Sequence, residues 1–83
     1  ANGVSELNQD KINFTIYPNP ANNVLNINLE TDYRVKCELI SIIGKTVFTC
    51  MVDLGANSID ISALSPNVYF VKIENNLIKF IKT

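Results

Sequence analysis

Val24-Leu25-Asn26-Ile27-Asn28-Leu29 alternates apolar and polar side chains from Leu25 onward. A period of two puts Leu25, Ile27 and Leu29 on one face of an extended strand and the asparagines on the other. A helix would scatter the same residues around its circumference. The pattern returns in both directions. Upstream, Ile12-Asn13-Phe14-Thr15-Ile16-Tyr17 alternates and stops at Pro18-Asn19-Pro20. Downstream, Glu30-Thr31-Asp32 reads as a turn. Residues 34–43 then form a third run, with Lys36 and Glu38 facing water and Val35, Cys37 and Leu39 facing inward. Gly44-Lys45 reads as a two-residue hairpin loop. Thr46 to Val52 is a fourth run, rich in β-branched and aromatic residues.

The rest continues the rhythm. Asp53-Leu54-Gly55-Ala56-Asn57 is a loop, and Ser58-Ile59-Asp60-Ile61 is a short fifth strand. Ser62-Ala63-Leu64 has room for one helical turn at most. Ser65-Pro66-Asn67 is a turn. Residues 68–74 put Tyr69, Val71 and Ile73 on one face. Asn75-Asn76 is a tight turn, because Asn tolerates positive φ. Residues 77–83 close the chain. About seven short strands with turn signals between them predict an all-β fold, an antiparallel immunoglobulin-like β-sandwich. Its expected core is Leu25, Ile27, Leu39, Ile59, Ile61, Val71 and Ile73. Residues 1–11 are polar and aperiodic and read as a linker, which leaves 12–83 as the domain.

Composition narrows the function. With 83 residues the chain is one domain with a thin core. At 47% hydrophobic and 18% charged it is too apolar for a disordered tail. No run approaches the roughly 18 apolar residues of a membrane-spanning helix. Seven basic and eight acidic residues lie scattered, with no basic footprint for nucleic acid or an anionic membrane. The chain has no His, which removes the commonest general base and zinc ligand. Residues 53–57 lack the spacing of a calcium loop, and there is no glycine-rich phosphate loop. Asn13-Phe14-Thr15 matches a glycosylation acceptor but falls inside a strand pattern. The expectation is a protein that is not an enzyme and needs no cofactor or metal. The lack of a starting Met or a signal peptide suggests a piece of a larger protein.

The two cysteines follow from the hairpin reading. A two-residue loop at Gly44-Lys45 pairs Ile43 with Thr46. Cys50 then lies opposite Leu39, and Cys37 opposite Val52. The two thiols share a face but sit diagonally, about 7–8 Å apart at Cα, beyond ordinary disulfide reach. Free thiols are expected, with a disulfide as the alternative.

Four segments, in order, resemble one family. Tyr17-Pro18-Asn19-Pro20-Ala21-Asn22-Asn23-Val24-Leu25-Asn26-Ile27 is similar to the opening signature of the C-terminal sorting domains of type IX secretion cargo proteins. Gly44-Lys45-Thr46-Val47 resembles their central hairpin. Ile59-Asp60-Ile61-Ser62-Ala63-Leu64, followed by Val68-Tyr69-Phe70-Val71-Lys72-Ile73, resembles their late segment. Lys79-Phe80-Ile81-Lys82 resembles their basic end. Where the family has Gly before the late strand, this chain has Asn67, the next-best residue for a left-handed backbone.

The resemblance implies a secretion signal that catalyses nothing. A cargo domain N-terminal to it on the same polypeptide crosses the inner membrane, and the label folds in the periplasm. An outer-membrane translocon reads it, and a surface sortase cuts in or before residues 1–10. The cargo is released or joined to lipopolysaccharide at the outer-membrane surface. The implied recognition residues are Pro18, Asn19, Pro20, Asn67, Tyr69, Lys79 and Lys82. Read without the family, Pro18 and Pro20 terminate a strand, because each fixes φ and lacks an N–H donor. Tyr69 reads as an inter-sheet aromatic. Lys79 and Lys82 read as solvent-facing charges guarding an edge strand. The rival reading is a fibronectin- or immunoglobulin-like accessory module that binds carbohydrate or spaces domains. The missing Trp counts against carbohydrate binding.

Overall fold

Each alternating run becomes a strand in the computed structural model, which describes residues 12–83. The expected linker at 1–11 lies outside the described residues. The strands are β1 (Phe14–Tyr17), β2 (Val24–Leu29), β3 (Val35–Ser41), β4 (Thr46–Val52), β5 (Gly55–Asp60), β6 (Asn67–Ile73) and β7 (Asn76–Lys82). They form a three-stranded sheet in the order β1-β2-β5 and a four-stranded sheet in the order β4-β3-β6-β7. Every strand pairing is antiparallel.

One apolar cluster joins the inner faces of both sheets. Leu25, Ile27, Leu29 and Ile59 come from the first sheet. Val35, Cys37, Leu39, Val71, Ile73 and Phe80 come from the second. All seven residues expected in the core are buried. This is the cross-section of a β-sandwich, and the period-two alternation is what builds it.

The β3–β4 connection departs from the expected hairpin. The loop spans residues 42–45 rather than Gly44-Lys45 alone. Ser41 N–H donates to the Lys45 carbonyl (2.8 Å), and Gly44 N–H donates to the Ser41 carbonyl (2.9 Å). Gly44 takes φ +85°, the left-handed position that follows a turn in such longer hairpins. The register also shifts between Leu39 and Ile40, where β4 carries an extra residue.

The consequence falls on the cysteines. Cys37 faces Cys50 directly, not diagonally, and both thiols are free. Direct opposition brings the two Cβ atoms within about 4.5–5.5 Å. The distance objection to a disulfide therefore disappears. Cys37 is buried, whereas Cys50 is half-buried at the sheet margin. Burial pushes the Cys37 thiol up to about 12, with the facing Cys50 adding to the rise. Burial raises Cys50 as well, against a hydrogen bond with Cys37 that lowers it.

In the native protein at pH 8, a thiol reagent should therefore modify Cys50 first and spare Cys37. Unfolding without reductant should expose two reactive thiols; finding none would mean a Cys37–Cys50 bridge. The same shift predicts alkaline weakening. The unfolded thiol ionises near 9 while the folded Cys37 stays protonated to about 12. The contribution to stability is thus whole below pH 9 and falls by about 1.4 kcal/mol per pH unit above it. Cys37→Val should flatten that alkaline slope in urea titrations.

Two turns also differ from expectation. Ile73 pairs with Asn76, so the central residues of the β6–β7 turn are Glu74 and Asn75, not Asn75 and Asn76. Glu74 takes φ +57° and is the positive-φ residue other than glycine among those described. Asn67 therefore does not supply a left-handed backbone. Ser62-Ala63-Leu64 forms a single turn closed by Leu64 N–H donating to the Ile61 carbonyl (3.0 Å).

Candidate functional site at the closing strand

β7 is an edge strand of the four-stranded sheet, and the segment after β1 lies along it. Pro18 ends β1 because it offers no N–H for the ladder. Both X–Pro bonds, Tyr17–Pro18 and Asn19–Pro20, are cis. Between the prolines, Asn19 reaches across 60 residues of sequence to β7. Its Nδ2 donates to the Lys79 carbonyl (3.2 Å), and its Oδ1 accepts from Ile81 N–H (3.0 Å). One amide side chain thus does for this stretch what a neighbouring strand would do. Two residues on, the backbone takes over. Ala21 N–H donates to the Ile81 carbonyl, and Thr83 N–H donates to the Ala21 carbonyl, each at 2.8 Å. This isolated parallel bridge, Ala21 to Lys82, ties the turn to the end of the chain.

The other expected site residues converge on the same corner. Tyr69 faces Phe80 across β6 and β7, with ring centroids 5.7 Å apart. Its hydroxyl donates to the Ser65 carbonyl (2.7 Å). A tyrosine near the start of a strand bonding back to the chain just upstream is the corner arrangement of immunoglobulin-type sandwiches. Tyr69 is buried, in keeping with its reading as an inter-sheet aromatic. Asn67 pairs with Lys82 and is exposed, its Oδ1 accepting from Val68 N–H (2.8 Å). Pro18, Asn19, Pro20 and Lys79 are exposed.

Lys82 corrects an expectation. It is 6% exposed, not solvent-facing, and its Nζ donates to the backbone oxygen of Thr83 (2.8 Å). The strand pleat explains this. Phe80 points into the core, so Lys82, two residues on, leaves the strand on the same side. Of the two lysines, Lys79 is the one that presents its charge outward.

Ala21 and Phe80, both fully buried, belong to this corner and were missed as site residues. Ala21 has to be small because the closing strand passes against it. The signal available in sequence was the placement of a small residue directly after Pro20.

Elsewhere the polar side chains serve local structure. Asn57 closes the loop between β4 and β5. Its Nδ2 donates to the Asp53 carbonyl (2.8 Å), and its Oδ1 accepts from Asp53 N–H (3.0 Å). Ser62 donates to Asp60 through its hydroxyl (2.7 Å) and its backbone N–H (2.9 Å). Those bonds hold the Asp60 carboxyl below its ordinary range, which makes it a poor base. No cluster of three or more His, Cys, Asp or Glu fit to hold a metal occurs among the described residues.

The corner therefore joins a Pro-Asn-Pro turn, a buried tyrosine and a closing strand from distant parts of the chain. A family model for the secretion system C-terminal sorting domain matches residues 15–83, which includes all of these segments. The chain belongs to this family of type IX secretion sorting domains. No curated protein and no solved structure matches it. Membership makes this sorting domain a type IX secretion signal, in a family defined by sorting rather than by catalysis. It also implies a cargo domain N-terminal to the label and export to the cell surface or beyond. No helix among the described residues is long and apolar enough to cross a membrane.

Proposed function

We propose that this sorting domain is read in its folded form, through the corner where the Pro18-Asn19-Pro20 turn lies on β7. The reader is the outer-membrane translocon, met in the periplasm. After transit a surface sortase cuts ahead of the folded domain, in or before residues 1–10. The cargo is then released or attached to lipopolysaccharide. Within the corner, Pro18, Asn19, Pro20, Asn67 and Lys79 offer the exposed contact groups. Tyr69 and Lys82 hold those groups in place from the buried side. The observation that carries the reading is the pair of hydrogen bonds at Asn19, which donates to the Lys79 carbonyl and accepts from Ile81 N–H. Through it, two segments that resemble the family's first and last signatures become one surface.

The test fuses residues 1–83 behind a periplasmic reporter in a host with this secretion system. The intact label should deliver the reporter to the cell surface with the label cut away. Asn19→Ala should reduce delivery at least tenfold while the purified domain still melts cooperatively. Each neutral hydrogen bond it loses is worth only about 1 kcal/mol to the fold. Delivery unchanged by Asn19→Ala would sink the corner as the recognition surface, and retention of the intact fusion would sink the label itself.

A further inference from the structure

We propose that Cys37 and Cys50 are a disulfide site, which an oxidant that is itself a disulfide closes into a bridge between β3 and β4 of one folded chain. In the structure both sulfurs are reduced. They are the chain's two cysteines, so no other thiol of the chain competes for either. The two stand directly opposite each other on an antiparallel pair. Residues so placed lie about 4.5–5.5 Å apart at Cα, inside the roughly 4.4–6.8 Å span that disulfides take. The thiols are already hydrogen-bonded to one another.

The bulge is what brings them together. Ile40 pairs with Thr46, while Leu39 pairs with Phe48, so Val47 is the extra residue of β4. Without it, the Ile40–Thr46 register would continue and set Cys37 against Thr49 and Cys50 against Lys36. Cys50 would then turn to the outer face with Lys36. With Val47 inserted, both thiols share the inner face, and Cys50 packs against the core.

Unequal burial sets the order of reaction. Cys50 is half-buried and open to a small oxidant, whereas Cys37 is fully buried. Cys50 gives up its proton, and its sulfur attacks one sulfur of the oxidant's disulfide, whose other half leaves as a thiol. Cys37 then gives up its proton and attacks Cys50 Sγ, expelling the second half as a thiol. The pair loses two protons and two electrons, and the oxidant becomes two thiols. Because the partner sulfur is already in place, closure within the chain outruns a link between chains. β4 is an edge strand held by β3 alone, so the bridge clamps it covalently to its neighbour. Export to the cell surface or beyond takes the pair to where disulfides persist. The bridge does not depend on which surface the translocon reads.

The test adds glutathione disulfide to the folded, fully reduced 83-residue chain. The intact mass should fall by two hydrogens, with the chain still a 9.3 kDa monomer in the absence of reductant. Unfolding the product should reveal no reactive thiol. The urea midpoint should rise and amide exchange along β4 should slow about tenfold, and reductant should reverse both. Cys50→Ala, which keeps the buried thiol alone, should show none of these changes. A lasting glutathione adduct on Cys50 overturns the proposal. So do chains linked to one another through Cys50, a bridge that forms only in urea, or a bridged chain whose urea midpoint has not risen.

Discussion

Replacing Ile27 or Val71 with Asp should leave the domain unfolded at room temperature. Both positions are fully buried, one in each sheet, and they belong to the cluster that joins the two sheets. A carboxylate placed there has no cation or donor within the apolar layer. Burying it unpaired costs several kcal/mol, on the order of the whole stability of a domain this small. Loss of the cooperative urea transition and collapse of amide dispersion are the expected readouts. A transition midpoint within experimental error of the parent would mean that these side chains do not face the core. Asn28→Asp is the matched control, since Asn28 alternates with Ile27 on the other face of β2 and is only partly buried.

Phe80→Ala should be the most damaging truncation at the closing strand, costing about 3–5 kcal/mol. Phe80 is the largest fully buried side chain and stacks on Tyr69. Its loss removes the anchor that holds β7, and so the strand on which Asn19 rests. Urea titration should show the cost directly, and the fused reporter should remain in the periplasm. Lys79→Gln separates charge from fold. Lys79 is exposed, so the substitution should change stability by no more than about 0.5 kcal/mol. A fall in delivery for that variant would reflect reading of the charge. Pairing it with Lys82→Gln would confuse the result, because Lys82 is buried against the chain end. A Phe80→Ala domain as stable as the parent would mean that β7 is anchored elsewhere.

The strands were legible because burial on one face of a pleated sheet writes itself into alternate residues. β2 and β4 run over the expected residues, and the expected core residues are all buried. Register was less legible. Gly44 announced a turn, but whether it stands inside a two-residue loop or at the left-handed end of a longer one depends on where Ser41 bonds. That difference, with the extra residue in β4, moved Cys50 from Leu39 to Cys37. The site was legible as separate segments and not as a surface. Nothing local in Pro18-Asn19-Pro20 points to residues 60 positions away, because the link is one side-chain amide imitating a strand. Lys82 shows the opposite case. Its burial followed from the pleat set by Phe80, yet its charge argued for solvent.

The bond between Ala21 and Thr83 makes the shape of the turn depend on the far end of β7. A chain growing from its N-terminus can pair β1, β2 and β5 early, but the flank of the four-stranded sheet stays open until Thr83 arrives to meet Ala21. A polypeptide that stops at Ile78 has no Phe80, no Ile81 for Asn19 to bond and no partner for Ala21. Such a product keeps every residue of the Pro-Asn-Pro turn and still lacks the shape that the turn completes. A reader of that shape would pass chains in which β7 is in place and leave behind those that lack it.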